Sequence, residues 1–307
     1  MLTGYGAMYL NDAIERANIK FYAARNEAAA PMMASAYAKH NNKIGAVCVT
    51  AGPGATNALP GLAEAFVDSS PIIVLSGQVE KKFSSDNYKN VNLRTLGIAE
   101  FSVTRILKNI TKYSTTIRNP NNCLYEIQKA IYLSKSGRPG PVWLEVPLDI
   151  QSTIIKNPKK LKKFKIVKKK DNYKISNTIS LIKALKNSKK PIFIIGNGVK
   201  QSNTKKSFLR LSKKLNIPFF NSRFANDLYS HDLKNNLGLC GIKGVLYAKE
   251  IIEQSDLIIS FGCRLAPSLT NGNPETFTKN TKIISINNDA NELGNPLLKI
   301  NKKLNVD

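Results

Sequence analysis

The sequence predicts an α/β protein of two domains, each a parallel sheet flanked by helices. Three observations carry this. Short apolar runs alternate with segments of helical spacing, small or Gly-rich turns join each run to the helix after it, and a Lys-rich stretch divides the alternation into two series. With 307 residues and 42% hydrophobic content, the chain can bury a sizeable core.

In the first series, "LTGYGAMYLND" reads as a Gly-containing turn and a helix start with no strand ahead of it, so an amino-terminal strand is expected to be missing. "FYAARNEAAAPMMASAYAKH" (21–40) is an Ala-rich helix with Glu27 in its first turn. "KIGAVCVT" (43–50) is a buried strand, "AGPGATN" (51–57) a turn, and "ALPGLAEAFVDSS" a helix. "PIIVLSG" (71–77) is the next strand, "KYSTTI" is short and extended, "NCLYEIQKAIYLSKSG" (122–137) is a helix ending at Gly137, and "PVWLEVP" (141–147) is a strand. This first domain is expected over 1–150.

A Lys-rich linker is expected over 151–175 and a second domain over 176–307. There "TISLIKALKNS" is helical, "PIFIIGNG" (191–198) is a strand ending in a Gly turn, and "SFLRLSKKLN" is a helix before the strand "IPFFNS". The helix "YAKEIIEQS" leads into the strand "DLIISFGCR" (256–264), and "KIISINND" (282–289) closes the series.

Composition narrows the function. The formal charge of +25 raises nucleic-acid binding. Much of the Lys, however, lies in one stretch (156–174), and no aromatic-interleaved basic motif or helix-turn-helix pattern accompanies it, so a basic surface without a nucleic-acid partner is expected. Cys48, Cys123, Cys240 and Cys263 show no C-x-x-C spacing and are expected as free thiols, mostly buried. With His40 and His231 the only histidines, neither a zinc site nor a His-based triad is expected. No apolar run approaches the ~20 residues needed to cross a bilayer, and no secretory signal opens the chain, so the expectation is a cytoplasmic protein with no membrane partner.

Glu27 has two readings from the residues alone: a carboxylate answering the positive end of a helix dipole, or a catalytic group. "TAGPGATN" joins a strand to a helix, where backbone N–H groups could receive an anion or a polar ring. It lacks both the G-K-[ST] of a Walker loop and G-x-G-x-x-G spacing, so Gly52 and Gly54 read equally as a tight turn. "IIGNGV" (194–199) is half of a nucleotide fingerprint, a pattern common after strands.

The order "RNEAAAPMMASAYAKHNNKIGAVCVTAGPGATNALPGLAEAFVDSSPIIVLSGQV", continuing to "SGRPGPVWLEVPLDIQ", resembles the amino-terminal half of thiamine diphosphate-dependent enzymes of the acetolactate synthase large-subunit type. "IIGNGV", "LGLCGIKGVLYAKEIIEQSDLIISFGCRL" and "IISINNDANELG" are similar to that family's Rossmann-like central domain. The resemblance implies a pyrimidine-binding first domain and 2-oxo acid decarboxylation with carboligation, pyruvate being the default donor, with branched-chain amino-acid biosynthesis as the setting. Glu27 then matches the glutamate that hydrogen-bonds the pyrimidine nitrogen and favours the imino form, whose imine removes the thiazolium proton. Gly52, Pro53 and Asn57 match the loop against the pyrimidine, and Gly4 and Gly6 match the turn near the reactive carbon. Asp68 and Gln78 also match, although a helix-ending polar cluster explains them as well. Arg264, Gly241 and Gly244 match positions that hold FAD in the synthases.

Departures accompany the match. Asn26 and Ala28 flank Glu27 where the synthases have His-Glu-Gln, Tyr88, Lys89 and Asn90 stand where they have Phe-Gln-Glu, and Asn287 replaces an Asp. These put acetolactate formation and FAD binding in question. No Gly-Asp-Gly occurs in the 307 residues, so Mg²⁺ and the diphosphate are expected to be held by a further domain lacking here, leaving this fragment inactive alone and no metal site in it. The complete enzyme is expected to be a homodimer or homotetramer with the cofactor between chains. The alternatives are a non-synthase decarboxylase or lyase relative, a non-catalytic binding subunit or remnant, and a Rossmann-type nucleotide binder.

Overall fold

Strands form where β-branched and other apolar residues run together, and the computed structural model describes them within residues 1–88, 90–166, 173–277 and 281–307. Lys89 and the middle of the Lys-rich stretch lie outside the described residues. Contacts divide the chain into two units, residues 1–168 and 169–307.

The first unit holds β1 (Gly45–Val49), β2 (Ile72–Gln78), β3 (Tyr113–Thr116) and β4 (Val142–Pro147), all parallel, in the order β1-β2-β4-β3. Side chains alternate between faces along each strand. Val47, Val49, Val74 and Trp143 join one core with α2 (Ala29–Asn41) and α4 (Leu59–Val67). Ile73, Val142, Leu144 and Val146 join the other, with α5 (Cys123–Lys135) and α6 (Leu148–Gln151). Trp143 is fully buried, and its indole N–H donates to Ser76 Oγ at 2.8 Å, so its burial leaves no orphan donor. α2 ends on Asn42 in the left-handed conformation (φ 53°), a residue type that tolerates it.

Two local expectations are corrected. The 51–57 stretch is a turn that becomes a helix, α3 (Pro53–Asn57), because Pro53 occupies the first helical position, where its missing N–H costs nothing. Glu27 lies in the turn two residues ahead of α2 rather than inside its first turn. A 3-10 turn (Tyr5–Ala7) and α1 (Met8–Arg16) open the chain, and Leu2 N donates to Cys48 O at 2.9 Å beside β1. Part of the Lys-rich segment packs on α5: the Phe164 ring lies 5.6 Å from Tyr125 and 5.5 Å from Tyr132, and its N–H donates to Gln128 Oε1 at 2.9 Å.

The second unit is a parallel sheet of β5 (Pro191–Ile195), β6 (Phe219–Asn221), β7 (Asn236–Leu239), β8 (Leu257–Phe261), β9 (Lys282–Asn287) and β10 (Lys302–Asn305). Its order, β10-β9-β8-β5-β6-β7, is the dinucleotide-fold order 3-2-1-4-5-6 read from β7 to β10 with β5 counted as the first strand. The unit's helices are α7 (Ile175–Lys186), α8 (Gly198–Gln201), α9 (Lys205–Leu215), α10 (Ala248–Gln254) and α11 (Pro274–Phe277). One face packs Phe193, Phe208, Phe219, Tyr229 and Phe261 with ring centroids 5.2 to 5.9 Å apart. The edge strands β7 and β10 were not expected, and β10 follows the strand taken to close the series. "NLGL" contains Gly238 at φ +88°, and "KKLN" has a single apolar residue, so neither carries a local strand signal. Pairing with the strands beside them creates both.

Candidate active site

The first unit's polar candidates meet at the loop after β1. Asn57, the last residue of α3, donates its carboxamide N–H to Glu27 Oε2 at 2.8 Å. Gly54 faces the other carboxylate oxygen: a Cβ there would stand 3.4 Å from Glu27 Oε1 and 2.6 Å from Thr50 Cγ2. Glycine therefore lets Thr50 approach closely beside a half-buried carboxylate.

Thr50 joins this pair to the amino-terminal turn. Its Oγ1 accepts from Gly6 N at 3.1 Å, and a Cβ on Gly4 would stand 2.5 Å from its side chain. A Cβ on Gly6 would meet Ala51 Cβ at 2.7 Å. Gly52, at φ +54°, carries the strand into α3, and a Cβ on it would fall 2.0 Å from the carbonyl oxygen of Ala99. Glu27, Asn57, Gly4, Gly6, Gly52 and Pro53 are thus brought to one end of the sheet. Thr50 is the residue that sequence reasoning missed. A small β-branched residue closing a strand gave no signal that three glycines pack on it.

The remaining first-unit matches are structural. Asp68 ends α4 and pairs with Lys39 Nζ at 2.7 Å, as a helix-ending polar cluster would. Gln78 is buried, donates to Phe101 O at 3.2 Å and to Glu145 Oε2 at 3.4 Å, and so belongs to a buried cluster around Glu145. Glu145 also accepts from Ser102 and Thr116, each at 2.9 Å. Burial pushes its carboxyl above the usual carboxylate range, and these hydrogen bonds offset only part of that.

In the second unit, Gly241 (φ +98°) and Gly244 serve the turn after β7. Cβ atoms on them would fall 2.5 Å from Ser268 O and Leu239 O respectively. Arg264 follows β8, with its guanidinium half exposed and 3.3 Å from Glu292. Asn287, at the end of β9, accepts from Asp289 N at 3.0 Å. Cys48, Cys240 and Cys263 are buried and all four thiols are free; burial pushes Cys48 up to about 11. Among the described residues, no group of three or more His, Cys, Asp or Glu could hold a metal ion, and no helix is long and apolar enough to cross a membrane.

Comparison with known proteins places both units. Residues 1–96 match the N-terminal TPP binding domain of thiamine pyrophosphate enzymes, and residues 179–300 match the central domain of the same enzymes. The chain belongs to the thiamine pyrophosphate enzyme family. It is 31% identical over 295 residues to the acetolactate synthase large subunit of Haemophilus influenzae, covering 94% of this chain and 50% of that protein. It is 34% identical over 305 residues to the large subunit of Lactococcus lactis, covering 96% and 50%. A probable acetolactate synthase large subunit of Methanocaldococcus jannaschii is 30% identical over 302 residues, covering 96% and 48%. The chain spans about half the length of the curated relatives it matches. The thiamine pyrophosphate domain match covers every first-unit residue around Thr50, and the central-domain match covers Arg264, Gly241 and Gly244.

Proposed function

We propose that Glu27 holds the aminopyrimidine ring of thiamine diphosphate, and that the whole enzyme decarboxylates a 2-oxo acid, by default pyruvate, and ligates the product to an acceptor as an acetolactate synthase does. The observation that carries this is the asymmetry of the Glu27 carboxylate. One oxygen is held by Asn57, while the other, Oε1, has no hydrogen-bond partner among the described residues. An unpaired carboxylate oxygen suits a flat ring presenting an N–H, since a carboxylate accepting from a ring nitrogen stabilises the proton there. The cofactor, when bound, supplies the nucleophilic carbon. Gly52 and Pro53 shape one wall, and the Gly4–Gly6 turn, fixed by Thr50, the next.

In this reading Mg²⁺ and the diphosphate are taken up by a domain outside these residues, a homodimer or homotetramer brings the two halves together, and the fragment alone is inactive. Four free thiols support a reducing, cytoplasmic setting, with branched-chain amino-acid biosynthesis as the pathway. For FAD, the support is the half-exposed guanidinium just beyond β8. Arg264 offers the ligand-directed group, because Gly241 and Gly244 are explained by their own turn. A second reading, a relative acting on another 2-oxo acid or acyl donor, is favoured by Asn26, whose Oδ1 accepts from Ala28 N at 2.8 Å and so is turned back into its own loop.

The test is acetolactate formation from pyruvate, with thiamine diphosphate and Mg²⁺, by the whole enzyme containing this chain. Glu27→Gln is expected to lower kcat by about 10²–10⁴-fold with unchanged melting. Equal turnover would remove Glu27 from the chemistry. Decarboxylation of a different 2-oxo acid without acetolactate would support the second reading.

A further inference from the structure

The free edge of the first sheet is basic along its length. β3 is the end strand of the order β1-β2-β4-β3, so one of its edges has no strand partner among the described residues. It borders an open groove of about 660 Å³, whose walls include Arg105, Lys108, Lys112 and Arg118. Lys112 immediately precedes the strand and Arg118 lies two residues beyond it, so cations stand at both ends. Arg105 and Lys108, on the turns before β3, line one flank.

One carboxylate answers two of these cations. Asp86 pairs with Arg105 and lies 3.8 Å from Arg118, one carboxylate between two guanidinium groups. Lys112 Nζ donates to the Ser136 carbonyl at 2.5 Å. Lys108 is exposed and has no ion-pair partner among the described residues. Of the other acids beside the strand, Glu126 accepts from Tyr113 Oη, with Lys129 over the same ring, and the buried Glu145 accepts from Thr116.

We propose that this edge takes up an acidic, extended peptide segment of a partner protein as a fifth strand. An unpaired strand edge offers main-chain donors and acceptors to an extended chain, and alternate side chains of that chain would project toward the flank where the cations stand. Charge complementarity selects Asp- and Glu-rich sequences and speeds encounter. The site is separate from the Glu27 loop and does not depend on its role.

The experiment is fluorescence anisotropy of the full chain with a labelled peptide of about eight residues alternating Glu and Val. Three further probes are the same peptide N-methylated at alternate residues, Lys108→Glu, and Lys214→Glu in the second unit. Binding is expected to weaken at least about tenfold on N-methylation, which removes strand pairing but keeps the charge. Lys108→Glu should weaken it several-fold with an unchanged melting curve, and Lys214→Glu should leave it alone. Equal binding of the N-methylated peptide, equal loss in both lysine variants, or preference for a DNA duplex at the same strip would each overturn the proposal. So would the absence of binding, which would mean that these cations only shield the edge from pairing.

Discussion

The two units use the same architecture and the same residue type, and differ in what the glycines at their candidate sites meet. In the first, Gly54 lies against side chains: a Cβ there would stand 2.6 Å from Thr50 Cγ2 and 3.4 Å from Glu27 Oε1, in the loop after β1. In the second, glycine lets backbone meet backbone. Gly196 and Gly198 follow β5, Gly262 follows β8, and these strands flank the point where the order of the sheet reverses. Gly196 N donates to Phe261 O at 2.8 Å and Gly198 N to Gly262 O at 3.1 Å, while a Cβ on Gly196 would fall 2.1 Å from Gly262 O. Open parallel sheets take ligands at such a reversal; here two backbones meet in it. A Gly-x-Gly after a strand therefore says little until its neighbour is known.

The contrast can be broken from either side. The largest expected effect is on the backbone side: Gly196→Ala should destabilise the second unit by about 3 kcal/mol or more, because backbone yields less than a side chain. Denaturant unfolding would measure it, and a near-neutral result would mean that the glycines are not packing-limited. On the side-chain side, Gly54→Ala should cost about 1–3 kcal/mol, since its Cβ would overlap Thr50 Cγ2 while Oγ1 of the same side chain holds Gly6 N, and it should weaken thiamine diphosphate binding to the whole enzyme at least about tenfold. Equal affinity in a calorimetric titration would show that the ring does not bind beside Glu27.

A smaller effect sharpens the comparison within the first unit. The folded carboxyl of Glu145 titrates above its ordinary value, so its stability contribution is fully present below the unfolded-state value and is lost as pH rises through the folded one. Tm is therefore expected to fall as pH climbs from the ordinary carboxylate range, and Glu145→Gln should flatten that slope. An unchanged slope in a thermal scan series would exclude Glu145 as its source. Smallest is Thr50→Val, which keeps the shape but removes the acceptor for Gly6 N. It should cost about 1 kcal/mol in denaturant unfolding, and no measurable loss would mean that the Gly4–Gly6 turn holds without it.

Much of the site could be read before any coordinates. Glu27 and the G-P-G-A-T-N loop stand out because their residue types are unusual where they occur: a carboxylate before an Ala-rich helix, and paired glycines after a buried strand. Thr50 and Glu145 did not stand out. Threonine at a strand end and glutamate within "VWLEVP" are unremarkable locally, and their importance lies in partners between 29 and 67 residues away, Thr116, Ser102 and Gln78 for Glu145 and Gly6 for Thr50.

By itself the sequence determined the α/β class, the central strands, the division into two series and the carboxylate-and-glycine signature, because these are written in local period and composition. Tertiary structure alone decided that Asn57 reaches back to Glu27, that Thr50 gathers three glycines, that Phe164 docks on α5, and that "NLGL" and "KKLN" become edge strands. Each of these depends on strand register and on contacts between residues distant in the chain, where local propensity is weak and the neighbour supplies the energy.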